Sequence, residues 1–292
     1  MRAEEACYTL PVTRLIVNAD DFGLTSGVNR AIVELHQAGV LTSTTLMARA
    51  QATDEAIRLA GENPGLGIGC HVVLVDGQSQ LDPSQLPTLT DATTGLFHAK
   101  LGGFLLRLLA GRIRSSEIER ESSAQIARLQ SAGIRLTHID AHKHTHMFPG
   151  VLRPILRAAR RAGVRVVRNP FEPYWSVAAT PGAPFVRRAE VHLLRLMERR
   201  FHQIVAQEGF TTTAGSLGVL ATGTLDAATV SALLSKAPEA TYELVSHPGY
   251  NDTDLAQART RLLASREQER QALLAVAQHS ELELVNFSVL HS

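Results

Sequence analysis

The chain has 292 residues, 45% of them apolar and 20% charged, with a formal net charge of +1. That is enough apolar material for a full core, so a disordered chain is excluded, and the charge balance selects no nucleic acid as partner. With only Cys7 and Cys70, and Glu4 and Glu5 ahead of no long apolar run, we expect a cytoplasmic chain without disulfide framework, secretory leader or membrane span.

A buried strand is expected over 14–18, where β-branched and apolar residues run together. Ser26 opens a helix to about 38, and Gly39 stops it. A strand over 41–48, a helix over 54–62 capped by Thr53, and a strand over 66–74 follow. Residues 75–98 are rich in Pro, Gly, Asp and Thr and read as a long loop, functional or mobile. Ser116 with Glu119 forms a capping box for a helix to 131. Beyond it come a strand over 135–139, a helix over 151–162, a strand over 164–168 and an irregular stretch with four prolines over 169–184. A long helix over 185–207, a helix capped by Asp226 to 236, a strand over 241–246, a helix over 254–278 and a closing strand over 282–289 complete the chain. Seven or eight strands alternating with helices predict an α/β fold, a distorted (β/α) barrel of mostly parallel strands. No composition break divides it, so 1–292 reads as one domain, with 1–13 a frayed terminus.

Four apolar runs end in ionisable residues, and strand ends of an α/β fold share one rim, where active sites are built. Leu15-Ile16-Val17-Asn18 leads to Asp20 and Asp21, and two adjacent carboxylates are best accommodated by a cation. One of them then ligates while the other acts as base; helix capping is the plain structural alternative. His71 interrupts the run from Ile68 to Leu74, where a core histidine is the simpler reading taken alone. His142, His144 and His146 alternate, all facing one way if the segment is extended. Asp140 is placed to orient the His142 ring. His247 precedes Pro248-Gly249, a tight turn that holds a candidate general acid. No Gly-x-Ser-x-Gly elbow, phosphate loop or dinucleotide-binding glycine motif is present.

Taken in order, Ile16-Val17-Asn18-Ala19-Asp20-Asp21-Phe22-Gly23-Leu24 resembles the opening of the YdjC-like carbohydrate deacetylases, which include the chitooligosaccharide deacetylases. Residues 41–47, Gly69-Cys70-His71-Val72, 138–149 and Glu243-Leu244-Val245-Ser246-His247-Pro248-Gly249-Tyr250 continue the likeness, so it spans 14 to 250. The resemblance implies metal-dependent removal of an N-acetyl group from an amino sugar, free or glycolipid-linked. It implies Asp21, His71 and His142 as metal ligands, Asp20 as base and His247 as general acid. The cofactor implied is one divalent ion, Mg2+ or Zn2+, with Ni2+ or Co2+ also suited to two imidazoles and a carboxylate. Lys143 stands where chitooligosaccharide members carry a third consecutive His, and in this it is similar to the branch associated with hopanoid glycolipids. Arg168, His144, His146 and Trp175 are candidate substrate contacts; Arg168 could equally orient a carboxylate or be a surface Arg, and core packing is the plainer reading of the Trp.

The same scaffold also suits a metal-dependent phosphoesterase or other hydrolase, or a non-catalytic sugar or metal binder. Asp20 separates the last, since a binder has no use for a spare carboxylate. Segments 101–114 and 185–205 are basic and amphipathic. They suit an anionic membrane surface; covering the barrel or a subunit interface, as in a homodimer, is the simpler reading.

Overall fold

The computed structural model describes residues 13–279 and 282–291. Apart from Thr13, the expected frayed terminus, with Cys7, lies outside the described residues. The first half contains β1 (Arg14–Phe22), α1 (Ser26–Gln37), β2 (Ser43–Leu46), α2 (Thr53–Glu62), β3 (Gly67–Val72), α3 (Leu101–Leu109), α4 (Ser115–Ser131) and β4 (Leu136–Ala141). A 3-10 turn, His142–Met147, then leads into α5 (Pro149–Arg161). The second half contains α6 (Tyr174–Ala179), α7 (Phe185–Leu194), α8 (Glu198–Gln207), β5 (Ser216–Leu217), α9 (Ala227–Leu234), β6 (Thr241–Ser246), α10 (Thr253–Gln257), α11 (Ala264–Leu273) and β7 (Glu283–Leu284).

Among the described residues the seven strands form one sheet with parallel neighbours, in the order β4-β3-β2-β1-β6-β5. β7 pairs with Arg14 and Leu15, on the edge of β1 that β2 occupies further along. The sheet curls on past β4 through parallel bridges Ile139–Val167 and Val166–Thr211, and the Ser216 N–H donates to the Phe171 carbonyl. The chain is thus the expected distorted α/β barrel. Strand alternation sorts its faces. Leu15, Val17 and Ala19 belong to the large core under the helices. Ile16 points inward and packs with Val166 and Phe287, which close the barrel floor.

Several elements differ from expectation for local reasons. Thr25, not Ser26, caps α1, its Oγ1 accepting the Val28 N–H. Thr53 turns back to Ala50 N–H and the Met47 carbonyl and does not cap α2. The Ser116–Glu119 box does not form: α4 starts at Ser115, and Glu119 pairs with Arg157 and Arg161. Buried Glu117 and Glu121 of α4 instead hold the 75–98 loop by the backbone N–H groups of Thr88, Gln80 and Leu81. The strand expected over 164–168 is reduced to isolated bridges. Within the proline-rich stretch Pro173 opens α6. The long helix over 185–207 tightens into a 3-10 turn, Arg195–Met197, at its middle. The helix expected over 254–278 breaks after α10, where the Thr260 hydroxyl accepts the Leu262 N–H and offers the backbone a turn instead. The closing strand stops after Leu284 because the Asn286 side chain caps the 3-10 turn Phe287–Leu290 that enters the floor.

Candidate metal centre

In a regular strand Asp20 and Asp21 would face opposite sides. Here the β1–β2 register shifts between Ala19 and Phe22, and Asp21 takes φ 67°, a left-handed conformation that Asp tolerates better than most residues. Both carboxylates reach the mouth, in different surroundings.

Asp20 Oδ1 accepts from Asn18 Nδ2 at 3.0 Å, Thr45 Oγ1 at 3.1 Å and Arg168 Nη2 at 2.6 Å, and Oδ2 accepts from Arg168 Nη1 at 2.8 Å. Burial opposes its charge, but Arg168, with His71 and His247, holds the carboxyl well below the usual carboxylate range. Arg168 is fully buried and also bonds Asp140 Oδ2 at 2.5 Å and Glu243 Oε1 at 2.6–2.8 Å. With three carboxylates on one guanidinium, burial pushes Glu243 up to about 7, and Arg168 offsets that only in part.

Asp21 Oδ2 accepts from Arg266 Nη2 at 2.5 Å, whereas Oδ1 is buried with no hydrogen-bond donor. That free oxygen lies 3.6 Å from both His71 Nε2 and His142 Nδ1, and the two nitrogens are 3.2 Å apart. Donors placed tetrahedrally at about 2.0–2.2 Å from one cation stand about 3.3–3.6 Å from each other. The three atoms therefore fit a divalent ion, and the bare Asp21 Oδ1 is the acceptor such an ion would satisfy. Asp20, His71 and Asp140 also converge, but Arg168 bonds both of those carboxylates, so a cation there would meet its guanidinium.

His71 Nδ1 lies 2.9 Å from the Asp140 carboxylate, its register partner on β4. Asp140 thus orients His71, not the His142 ring expected from spacing, because pairing across strands brings them side by side. Burial alone would depress the His71 ring, but Asp140, then Asp20 and Asp21, raises it to about 9. Cys70 is buried in β3, and burial pushes its thiol up, as suits an inert core residue.

His247 follows β6, and its N–H donates to Glu269 Oε2 at 2.6 Å. Its Nδ1 lies 3.6 Å from Glu269, and its Nε2 lies 3.7 Å from Asp20 Oδ2. Burial lowers this ring's pKa, and Glu269 with Asp20 more than reverses it, a net upward shift. His142 and His247 are only partly buried, which leaves the site open on their side.

The segment from His142 is neither extended nor a regular helix. Lys143 and His144 both take left-handed φ, so the three histidines diverge. His142 joins Asp21 and His71; burial and Arg168 press the His144 ring down to about 3; His146 is fully buried and edge-on to Phe201. Lys143 Nζ bonds Asp76 Oδ2 at 2.7 Å and pins the turn to the 75–98 loop. Of the two roles expected for Arg168, a sugar contact or an orienter of a carboxylate, the structure shows the second: it is buried and holds Asp20, Asp140 and Glu243 below the mouth. Trp175, for which core packing is the plainer expectation beside a sugar contact, packs against Tyr242 near the start of β6, at the opposite end of that strand from His247. Trp175 is therefore held away from the donor triangle, while His146 is buried next to Arg168 with no exposed face at the mouth.

Sequence reasoning missed Arg266, Glu269 and Glu243. Arg266 and Glu269 lie one turn apart on the buried face of α11, together with Ala272 and Leu273. Two charges on an otherwise apolar helix face were the available signal. Glu243 sits at an inward position of β6, opposite Ile16.

Over 153 residues the chain is 42% identical to a carbohydrate deacetylase of Brevibacillus brevis, covering 52% of this chain and 58% of that one. Over 152 residues it is 40% identical to a chitooligosaccharide deacetylase of Enterobacter sp. strain 638, covering 51% and 57%. The match thus spans little more than half the length of these relatives. The crystal structure of a proposed cellobiose-phosphate cleavage protein of Enterococcus faecalis superposes with a TM-score of 0.75 at 25% identity, over 96% of this chain and 99% of that one. Residues 14–283 match the YdjC-like protein family, and the chain belongs to it.

Proposed function

We propose that the protein is a metal-dependent carbohydrate N-deacetylase, hydrolysing the acetamide of an acetylated amino sugar. The observation that carries this reading is the Asp21–His71–His142 donor triangle beside a second carboxylate, Asp20, and a histidine, His247, that faces it at 3.7 Å. The two relatives named as deacetylases support it. Asp21 Oδ1, His71 Nε2 and His142 Nδ1 would hold the ion. Two imidazoles and one carboxylate favour zinc, nickel or cobalt over magnesium, which prefers oxygen donors. Bound there, the cation supplies Lewis acidity at the acetyl group.

The remaining work falls to this chain. Asp20 is ionised at any working pH, and Arg168 fixes its direction. Its Oδ2 takes the proton of the attacking water as the new C–O bond forms. His247 Nε2–H, kept available by Glu269, gives a proton to the sugar nitrogen as the C–N bond breaks, and acetate and amine leave. The test is acetate release from N-acetylated chitooligosaccharides before and after chelation, with metal restored. Loss on chelation and recovery with zinc, nickel or cobalt is expected. No acetate with any metal, or phosphate released from phosphorylated sugars instead, overturns the reading.

A further inference from the structure

Two helical insertions fall outside the regular alternation of strand and helix. α3 stands between β3 and the barrel helix α4, and in the connection from the 164–168 segment α7 stands between α6, which turns back down the outside of the barrel, and the barrel helix α8. Both are strand-to-helix connections, and these lie on the carboxyl rim of an α/β barrel. Their anchors agree. Leu108 of α3 packs against Gly150, at the start of α5 just past the turn that carries His142, where a methyl group would meet its Cδ1 at 3.3 Å. Arg187 of α7 donates to the carbonyls of Val219 and Leu220, in the connection that leaves β5. The backbone stays right-handed from Leu194 to Glu198, so α7 prolongs α8 from its rim end.

Among the described residues, ten large apolar side chains are exposed, and eight lie in strand-to-helix connections; Leu274 and Val289 are the exceptions. Leu106 and Leu109 on α3, and Phe185, Val186, Leu193 and Leu196 on α7 and its 3-10 continuation, are 66% to 84% exposed. These helices therefore do not simply cover the barrel. Residues 100–114 carry Lys100, Arg107, Arg112 and Arg114 with no acid, and residues 185–200 carry five arginines against Glu190 and Glu198. Apolar side chains beside an excess of one charge suit a surface that is apolar below and anionic above. A second copy meeting this face across a two-fold axis would set arginines against arginines.

We propose that the rim carrying α3 and α7 docks on an anionic lipid bilayer, turning the mouth of the site toward the headgroups. Leu106, Leu109, Leu193 and Leu196 enter the interfacial region while Arg112, Arg199 and Arg200 meet lipid phosphates. The test is cosedimentation with vesicles of phosphatidylglycerol and phosphatidylcholine, and of phosphatidylcholine alone, at low and high salt. Binding at least tenfold tighter to the anionic vesicles at low salt is expected, weakened by salt. The combined variant Leu106→Ser, Leu109→Ser, Leu193→Ser, Leu196→Ser should lose tenfold or more, as should Arg199→Glu with Arg200→Glu, each at an unchanged melting temperature. No preference for anionic vesicles, or equal binding by the variants, overturns the proposal. So does a dimer in sedimentation equilibrium that the serine variant abolishes while vesicles stay unbound. Acetate release from a soluble chitooligosaccharide reads the proposed activity separately, so either idea can fail without the other.

Discussion

Asp20 and Asp21 are chain neighbours with opposite surroundings. Asp20 takes three donors on Oδ1, from Asn18, Thr45 and Arg168, and only Arg168 on Oδ2, whereas Asp21 keeps one buried oxygen bare. The division predicts that Asp20→Asn keeps bound metal and loses turnover by roughly 10²–10⁴-fold, the usual contribution of a general base. His71→Ala and His142→Ala should each lose most of the metal in equilibrium dialysis. Metal lost from Asp20→Asn but kept in Asp21→Asn would exchange the two roles. His71 adds a pH dependence. Its ring, raised to about 9, is protonated near neutrality, and a ligating Nε2 must be bare. Each ion bound then displaces one proton, so apparent affinity should tighten by roughly tenfold per pH unit below that value. Titration calorimetry in buffers of different ionisation enthalpy counts the proton, and a count of zero would show that the His71 ring is already neutral before the ion binds.

Glu269 acts through His247. To donate, His247 must be protonated, so activity is present below its pKa and falls as pH rises through it. Glu269→Gln removes the nearby charge, lowers that pKa, and should move the alkaline limb of the kcat profile to lower pH with metal content unchanged. An unmoved limb would make Glu269 a structural anchor for the His247 N–H alone.

At the scale of elements, the site depends on irregularities in otherwise regular strands. The β1 bulge presents both aspartates, and the left-handed turn after β4 presents His142 alone. β3 has a subtler device in Gly69. A Cβ there would lie 2.4 Å from the His138 ring, which is stacked at 3.7 Å on Phe287. Only a glycine lets that ring sit beside the strand just below His71. Gly69→Ala should therefore cost about 1–3 kcal/mol through overpacking. Urea unfolding would show a lower midpoint with unchanged slope. An unshifted midpoint would mean that His138 has room to move.

At the scale of the molecule, the barrel interior is layered. Ile16, Val166 and Phe287 form an apolar floor, the Arg168 carboxylate cluster lies above, and the candidate metal donors stand at the mouth. The floor is completed by the last described turn of the chain, so the C-terminal segment is part of the barrel. Phe287→Ala should destabilise by about 3–5 kcal/mol, as for a fully buried aromatic. A loss under about 1 kcal/mol would show that the floor rests on Ile16 and Val166 alone.

The sequence by itself determined the class of fold and the rim. Strand period, helix period and glycine stops are local properties, and they place Asp20, Asp21, His71, His142 and His247 at the ends of β1, β3, β4 and β6. What only the tertiary structure decided is what each residue touches. Arg168 meets Asp20 across 148 positions, and Arg266 meets Asp21 across 245. Closure of the sheet makes those neighbours, and no spacing along the chain encodes them. The same holds for Asp140, whose partner is set by strand register, for Trp175, whose position depends on the α6 turn, and for the 164–168 and 282–289 segments. Their β-branched residues favour extended backbone, but the curl of the barrel and the Asn286 cap leave them without a full strand to pair with.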